Sequence, residues 1–124
     1  MIIQRFEDVI AWQKAKLLMI EIRKEFTNIS DRTFKDQIFR ASLSTMNNIG
    51  EGFDRGTDKE LAYFLHIARG SNAEVRSMLA ASRELSYTEA EKSSELILLS
   101  EEISKILSGF IRSLTKDYRL TTID

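Results

Sequence analysis

The chain has 124 residues, 43% apolar and 30% charged, enough for one domain whose core needs no covalent staple. Cysteine and proline are absent and there are only five glycines. This excludes disulfides, thiolate metal sites and cysteine nucleophiles, and leaves little room for the tight turns of a sheet protein. Eighteen Lys and Arg stand against nineteen Asp and Glu, a net charge of −1, and no segment is a basic arm, so bulk charge does not favour a nucleic-acid binder acting through counterion release.

The opening MIIQRFEDVIAWQK mixes acids and lysine into its short apolar run and does not read as a signal peptide. No run approaches the roughly 20 apolar residues that cross a bilayer. The expectation is a cytosolic protein without a membrane partner. No internal repeat, low-complexity tract or linker divides the chain, so residues 1–124 are read as a single domain.

Period and punctuation predict four helices. The first spans about residues 8–26, with Val9, Trp12, Ala15, Met19, Ile22 and Phe26 facing inward. The second spans about 34–53 and opens on the weak capping box Thr33-Phe34-Lys35-Asp36. Gly52 and Gly56 are expected to end it in a left-handed turn. The third spans about 58–85 and opens on the full box Thr57-Asp58-Lys59-Glu60. Its seam is read as Leu61, Phe64, Ala68, Ser71, Val75, Met78, Ser82 and Leu85, an alternating three–four spacing suited to shallow helix crossing. The fourth spans about 89–115, opens on Thr88-Glu89-Ala90-Glu91, and turns Leu96, Leu99, Ile103, Ile106, Phe110 and Leu114 inward. The tail TTID is expected to fray. Short connections make neighbours antiparallel, so the fold class is all-α, an up-down four-helix bundle. Ala41, Ser42 and Ser44 on the second helix and Ala68, Gly70 and Ser71 on the third predict a closely approaching pair, with packing as the reason for Gly70 inside a helix.

Gln37, Arg40, Ser44, Asn48, Glu51 and Arg55 recur every three or four residues and form one polar stripe on the second helix. The third helix adds Ser71 and Glu74, with Arg69 and Arg76 nearby. Three readings stay open for this set. The groups satisfy one another between helices or subunits, as buried polar groups must; they contact a small ligand or nucleic acid; or they are solvated surface. For nucleic acid the candidate phosphate contacts are Arg40, Arg55, Arg69 and Arg76.

Other chemistry finds little purchase. His66 is the only histidine and has no identifiable acid–base partner; it reads as a helix-surface or interface residue. The Glu-x-x-His motifs of a di-metal bundle are absent. Glu101-Glu102 reads as a solvated face, Gly50-Glu51-Gly52 lacks the Lys-Ser/Thr ending of a phosphate loop, and Trp12 reads as a core or subunit anchor. No catalytic residue, cofactor or metal is expected.

The stripe also carries a resemblance. Gln37-Ile38-Phe39-Arg40-Ala41, Ser44, Asn48-Ile49-Gly50-Glu51-Gly52 and Arg55 resemble the central motif Q-x-x-R-A-x-x-S-I-x-x-N-I-A-E-G-x-x-R of the 23S rRNA-intervening-sequence protein family, the four-helix-bundle proteins. Phe6-Glu7-Asp8-Val9 with Trp12-Gln13-Lys14-Ala15 resembles the family's opening, Phe64 to Ser71 with Glu74 its third-helix motif, and Glu84-Leu85-Ser86-Tyr87 the turn before its last helix. Where the family has Phe-Pro, Ile-Pro and Ala, this chain has Phe26-Thr27, Thr45-Met46 and Gly50. The resemblance implies a left-handed bundle assembling into a ring-like homopentamer, without enzymatic activity and with an undefined molecular role. A related branch, the accessory proteins of diversity-generating retroelements, binds a reverse transcriptase and nucleic acid through a markedly basic barrel. That basic excess is missing here. The leading expectation is a homo-oligomeric interaction module; the alternative is an accessory protein that binds RNA or DNA.

Overall fold

A computed structural model describes residues 9–123, with side chains described to residue 115. Four helices follow in order: α1 (Ile10–Phe26), α2 (Arg32–Phe53), α3 (Asp58–Glu84) and α4 (Ala90–Ile123). Each packs its backbone on its two neighbours, which makes a square bundle; α2–α3 and α3–α4 are the most extensive pairs, and across one diagonal the Phe53 ring of α2 lies edge-on to Phe110 of α4 at 5.3 Å. The expected residue Asp8 lies outside the described residues, as does Asp124. The remainder of the TTID tail continues the helical backbone of α4 to Ile123, so the helix does not stop near 115.

The apolar periods fill one core. Ala15, Leu18, Ile22 and Phe26 of α1 meet Ile38 and Ile49 of α2, Leu65, Val75 and Leu79 of α3, and Ile103 and Leu107 of α4. In α1 the buried line runs through Ala11 and Leu18; Trp12 and Met19, expected inward, are half-buried beside it. The α3 seam is also shifted. Leu61, Ala68, Val75 and Ser82 are buried as expected, but the alternate positions are Leu65, Asn72 and Leu79. Phe64, Ser71 and Met78 flank them half-buried, and Leu85 is exposed. The three–four rhythm is unchanged, with the alternate residues moved one place round the helix. The same slip brings Ser93, Ser100 and Leu107 of α4 inside, while Leu99, Ile106, Phe110 and Leu114 pack on the margin.

This slip buries polar groups, and they are paired. The Asn72 side-chain amide donates to the Ser100 carbonyl at 2.8 Å, and the Ser100 hydroxyl donates back to Asn72 Oδ1 at 3.1 Å. The Ser93 hydroxyl donates to the Leu79 carbonyl at 2.9 Å. Among the described residues, no buried side-chain nitrogen or oxygen is left without a partner, as a stable interior requires.

The helix ends depart from the expected boxes. Thr57 does cap α3: its Oγ1 accepts from the Glu60 N–H at 3.1 Å. The cap of α2 is Asp31, which accepts from the Phe34 N–H at 3.0 Å and starts the helix two residues early. Thr88 spends its hydroxyl on Glu25 of α1 at 2.6 Å. The glycine turn after α2 is not left-handed, since no described glycine has positive φ. The left-handed residue is Ser86, φ 59°, which follows the α3 cap Leu85. There the Ser86 N–H donates to the Arg83 carbonyl and the Tyr87 N–H to the Ser82 carbonyl, the paired bonds of a Schellman ending. Tyr87 then reaches the α1–α2 turn. Its hydroxyl donates to Asp31 Oδ2 at 2.7 Å and its ring lies edge-on to Phe34 at 5.1 Å.

Candidate functional site

The polar stripe of α2 runs along its border with α3. The Gln37 side-chain amide donates to the Glu74 carboxylate, and the Ser44 and Ser71 hydroxyls share a hydrogen bond of 2.8 Å. Asn48 turns back on its own helix, donating to the Ser44 carbonyl at 2.8 Å and its hydroxyl at 3.1 Å. Ser44 thus links Asn48 to Ser71. The residues in this line are small or amide-bearing, so the backbones come close enough for hydroxyls to meet.

Towards the C-terminal end of α2 the stripe emerges from the groove. Arg55 donates to Glu51 Oε1 at 3.0 Å, lies 3.9 Å from Glu60, and stacks its guanidinium over the Phe64 ring at 4.9 Å. Glu51 and Arg55 keep 49% and 42% of their side-chain surface exposed, so this pair is a surface ion pair of small energetic weight. Gly52, one residue on, is buried against α3. A Cβ there would lie 2.9 Å from the Phe64 Cβ and 3.0 Å from Leu61 Cδ1.

The four arginines grouped as phosphate contacts are not brought together. Arg40 is exposed on α2, and Arg55 is engaged at the α2–α3 turn. Arg69 and Arg76 lie on the other flank of α3, facing α4. Arg69 donates to the Ser108 hydroxyl at 3.1 Å and contacts His66 Nδ1 at 3.1 Å. Arg76 lines a cleft of about 380 Å³ between α3 and α4 with Glu101, Ser104, Lys105, Ser108 and Arg112. Sequence reasoning passed over Lys105, Ser108 and Arg112. Their spacing of three and four residues was the available signal, masked by the apolar line beside it.

Trp12, Asn48, Glu51, Asp54 and Phe64 border a second, open depression of about 600 Å³ beside α2. Gly70 is exposed, with open space where a Cβ would stand, so no packing among the described residues accounts for it. Glu102, read as solvated, bridges to Lys14 of α1 at 3.1 Å. Seven residues along α1, Glu21 accepts from Lys92 at 3.1 Å. That bond holds the Glu21 carboxyl below its usual range and the Lys92 ammonium above its own.

Among the described residues, no group of three His, Cys, Asp or Glu side chains is placed to hold a metal ion. Among these same residues, no helix is long and apolar enough to cross a membrane. His66, the only histidine, is exposed and faces a guanidinium rather than a nucleophile.

Comparison with known proteins agrees with this architecture. The fold is similar to that of a protein of unknown function from the S23 ribosomal protein family of Bacteroides thetaiotaomicron, known from its crystal structure. The two are 20% identical, with 83% of this chain and 99% of that chain covered and a TM-score of 0.77; at this identity the likeness speaks for the fold alone. No curated protein matches. The family model of the 23S rRNA-intervening sequence protein matches residues 7–109, a span that takes in the α2 stripe, the α2–α3 turn and the third-helix motif. The chain belongs to the 23S rRNA-intervening sequence protein family.

Proposed function

We propose that this protein is a non-catalytic interaction module that works as a homo-oligomer. The observation that carries the reading is apolar surface on the outside of α1. Ile10, Leu17 and Ile20, spaced seven and three residues apart, are 56%, 49% and 37% exposed, and Leu98 of α4 is 66% exposed. The bridges Lys14–Glu102 and Glu21–Lys92 bracket Leu17 and Leu98, placing both at one level of the bundle. Apolar side chains aligned on one outer face mark a contact surface. A second copy suits it, because a chain with net charge −1 repels itself little. Gln37, Ser44, Asn48, Glu51 and Arg55 of the stripe, meanwhile, are bonded within the chain, which leaves them little capacity for chemistry.

Light scattering on the eluted protein tests this. The expected mass is a multiple of the 14.3 kDa chain, and a homopentamer is the stoichiometry that the family resemblance implies. The substitutions Leu17→Glu and Leu98→Glu should release folded monomer. A wild-type protein that elutes as monomer at micromolar concentration would refute the proposal.

A further inference from the structure

The α3–α4 cleft points to a ligand that the assembly reading does not require. Arg76 from α3 and Lys105 and Arg112 from α4 line it with the hydroxyls of Ser104 and Ser108, and Glu101 is the one carboxylate in the lining. Arg69 stands at its edge, bonded to Ser108. Four cations therefore gather round one groove in a chain whose total charge is −1. At other helix borders a cation stands against a carboxylate: Lys14 against Glu102, Lys92 against Glu21 and Arg55 against Glu51. Among the described residues, Arg76, Lys105 and Arg112 form no ion pair. Set against the single carboxylate of Glu101, these cations leave the groove with an excess of positive charge, which an oxyanion would offset.

The lining also says which anion. Guanidinium forks and hydroxyls are donors suited to phosphate oxygens, which Arg binds bidentately. No aromatic ring lines the cleft, so it offers no stacking platform for a base. We propose that this cleft binds phosphate groups, through Arg76, Lys105, Arg112, Ser104 and Ser108, without reading a base. The phosphate comes either from a small phosphorylated molecule or from the backbone of a nucleic-acid strand.

Two probes separate these sources, both with the full chain. Fluorescence anisotropy with a labelled single-stranded RNA of mixed sequence, measured from 50 to 200 mM salt, reads backbone binding. Titration calorimetry with inorganic pyrophosphate reads the small ligand. Binding of either probe is expected. Replacing Arg76, Lys105 and Arg112 together by Gln should weaken it at least tenfold, whereas Arg40→Gln, on the exposed face of α2, should leave it unchanged. RNA affinity should fall with salt, at a log–log slope of about −2 for three phosphate contacts. Binding of pyrophosphate without RNA supports the cleft and assigns it to a small ligand; binding of RNA with loss in the triple variant assigns it to a strand. Lys105→Gln and Arg112→Gln singly, both at exposed positions, keep the test open if the triple variant folds poorly. No binding of either probe at low salt overturns the proposal, as does binding that survives the loss of all three cations. Neither outcome depends on the oligomeric state.

Discussion

Gly52 and Gly70 set up a paired experiment in which one chemical change is expected to stabilise at one site and not at the other. Both sit inside helices, where alanine is favoured over glycine by about 1 kcal/mol. At Gly70 no described residue lies within 4 Å of an added Cβ, so Gly70→Ala should collect most of that gain. At Gly52 the added Cβ would stand 2.9 Å from the Phe64 Cβ and 3.4 Å from the Leu61 carbonyl. These atoms are backbone or fixed to backbone, so α2 and α3 must separate where they pack. Overpacking of this kind costs about 1–3 kcal/mol. Set against the propensity gain, Gly52→Ala is expected to be neutral to about 2 kcal/mol destabilising. The difference between the two variants is then about 1–3 kcal/mol, or several degrees in melting temperature for a domain of this size. Circular dichroism melts at one fixed protein concentration measure it. If Gly52→Ala raised the melting temperature as much as Gly70→Ala, the close approach of α2 and α3 at this point would be wrong.

Two further outcomes are expected. Asn72→Ala removes both side-chain bonds to the fully buried Ser100 and should cost about 2–3 kcal/mol; a double-mutant cycle with Ser100→Ala should show coupling, and strict additivity would argue against the pair. The clasp between the two loops at one end of the bundle should be sensitive to pH. The Phe34 N–H and the Tyr87 hydroxyl hold the Asp31 carboxyl below its ordinary value of 3.8, so its stabilising contribution is complete above that value and lost as pH falls through the lowered one. Bonding to that carboxylate raises the Tyr87 hydroxyl above 10.0; this contribution is present below pH 10 and lost as pH rises through the raised value. The stability gap between wild type and Asp31→Asn should accordingly close in acid, and a gap that stays constant from pH 2 to 7 would count against the clasp.

Much of the bundle could be read before any coordinates. Ile22, Phe26, Leu61, Val75, Leu96 and Ile103 repeat at helical spacing and all are buried, because a helix with one apolar stripe has one way to hide it. Thr57 followed by Glu60 was likewise a sufficient signal, since a cap is made within four residues. Reading failed where a residue had a choice between local and distant partners. Thr88 resembles a cap but finds Glu25 of α1, and Asp31 outcompetes Thr33 because Tyr87 also fixes it from the far side of the sequence. Asn72 was passed over because an amide breaks an apolar pattern, and only Ser100 on the neighbouring helix makes its burial tolerable. Gly52 was expected in a left-handed turn and Gly70 in a packed seam, and it is Gly52 that is packed and Gly70 that is open, since whether a missing Cβ matters depends on what stands opposite. The basic cleft is the same case. Net charge is a sum over the chain, and it vanishes here, while the grouping of Arg76 with Lys105 and Arg112 exists only once α3 and α4 lie side by side. Periodicity determines which face of each helix is buried; which side chains meet across the groove is decided by rotation and register, and those are properties of the assembled bundle.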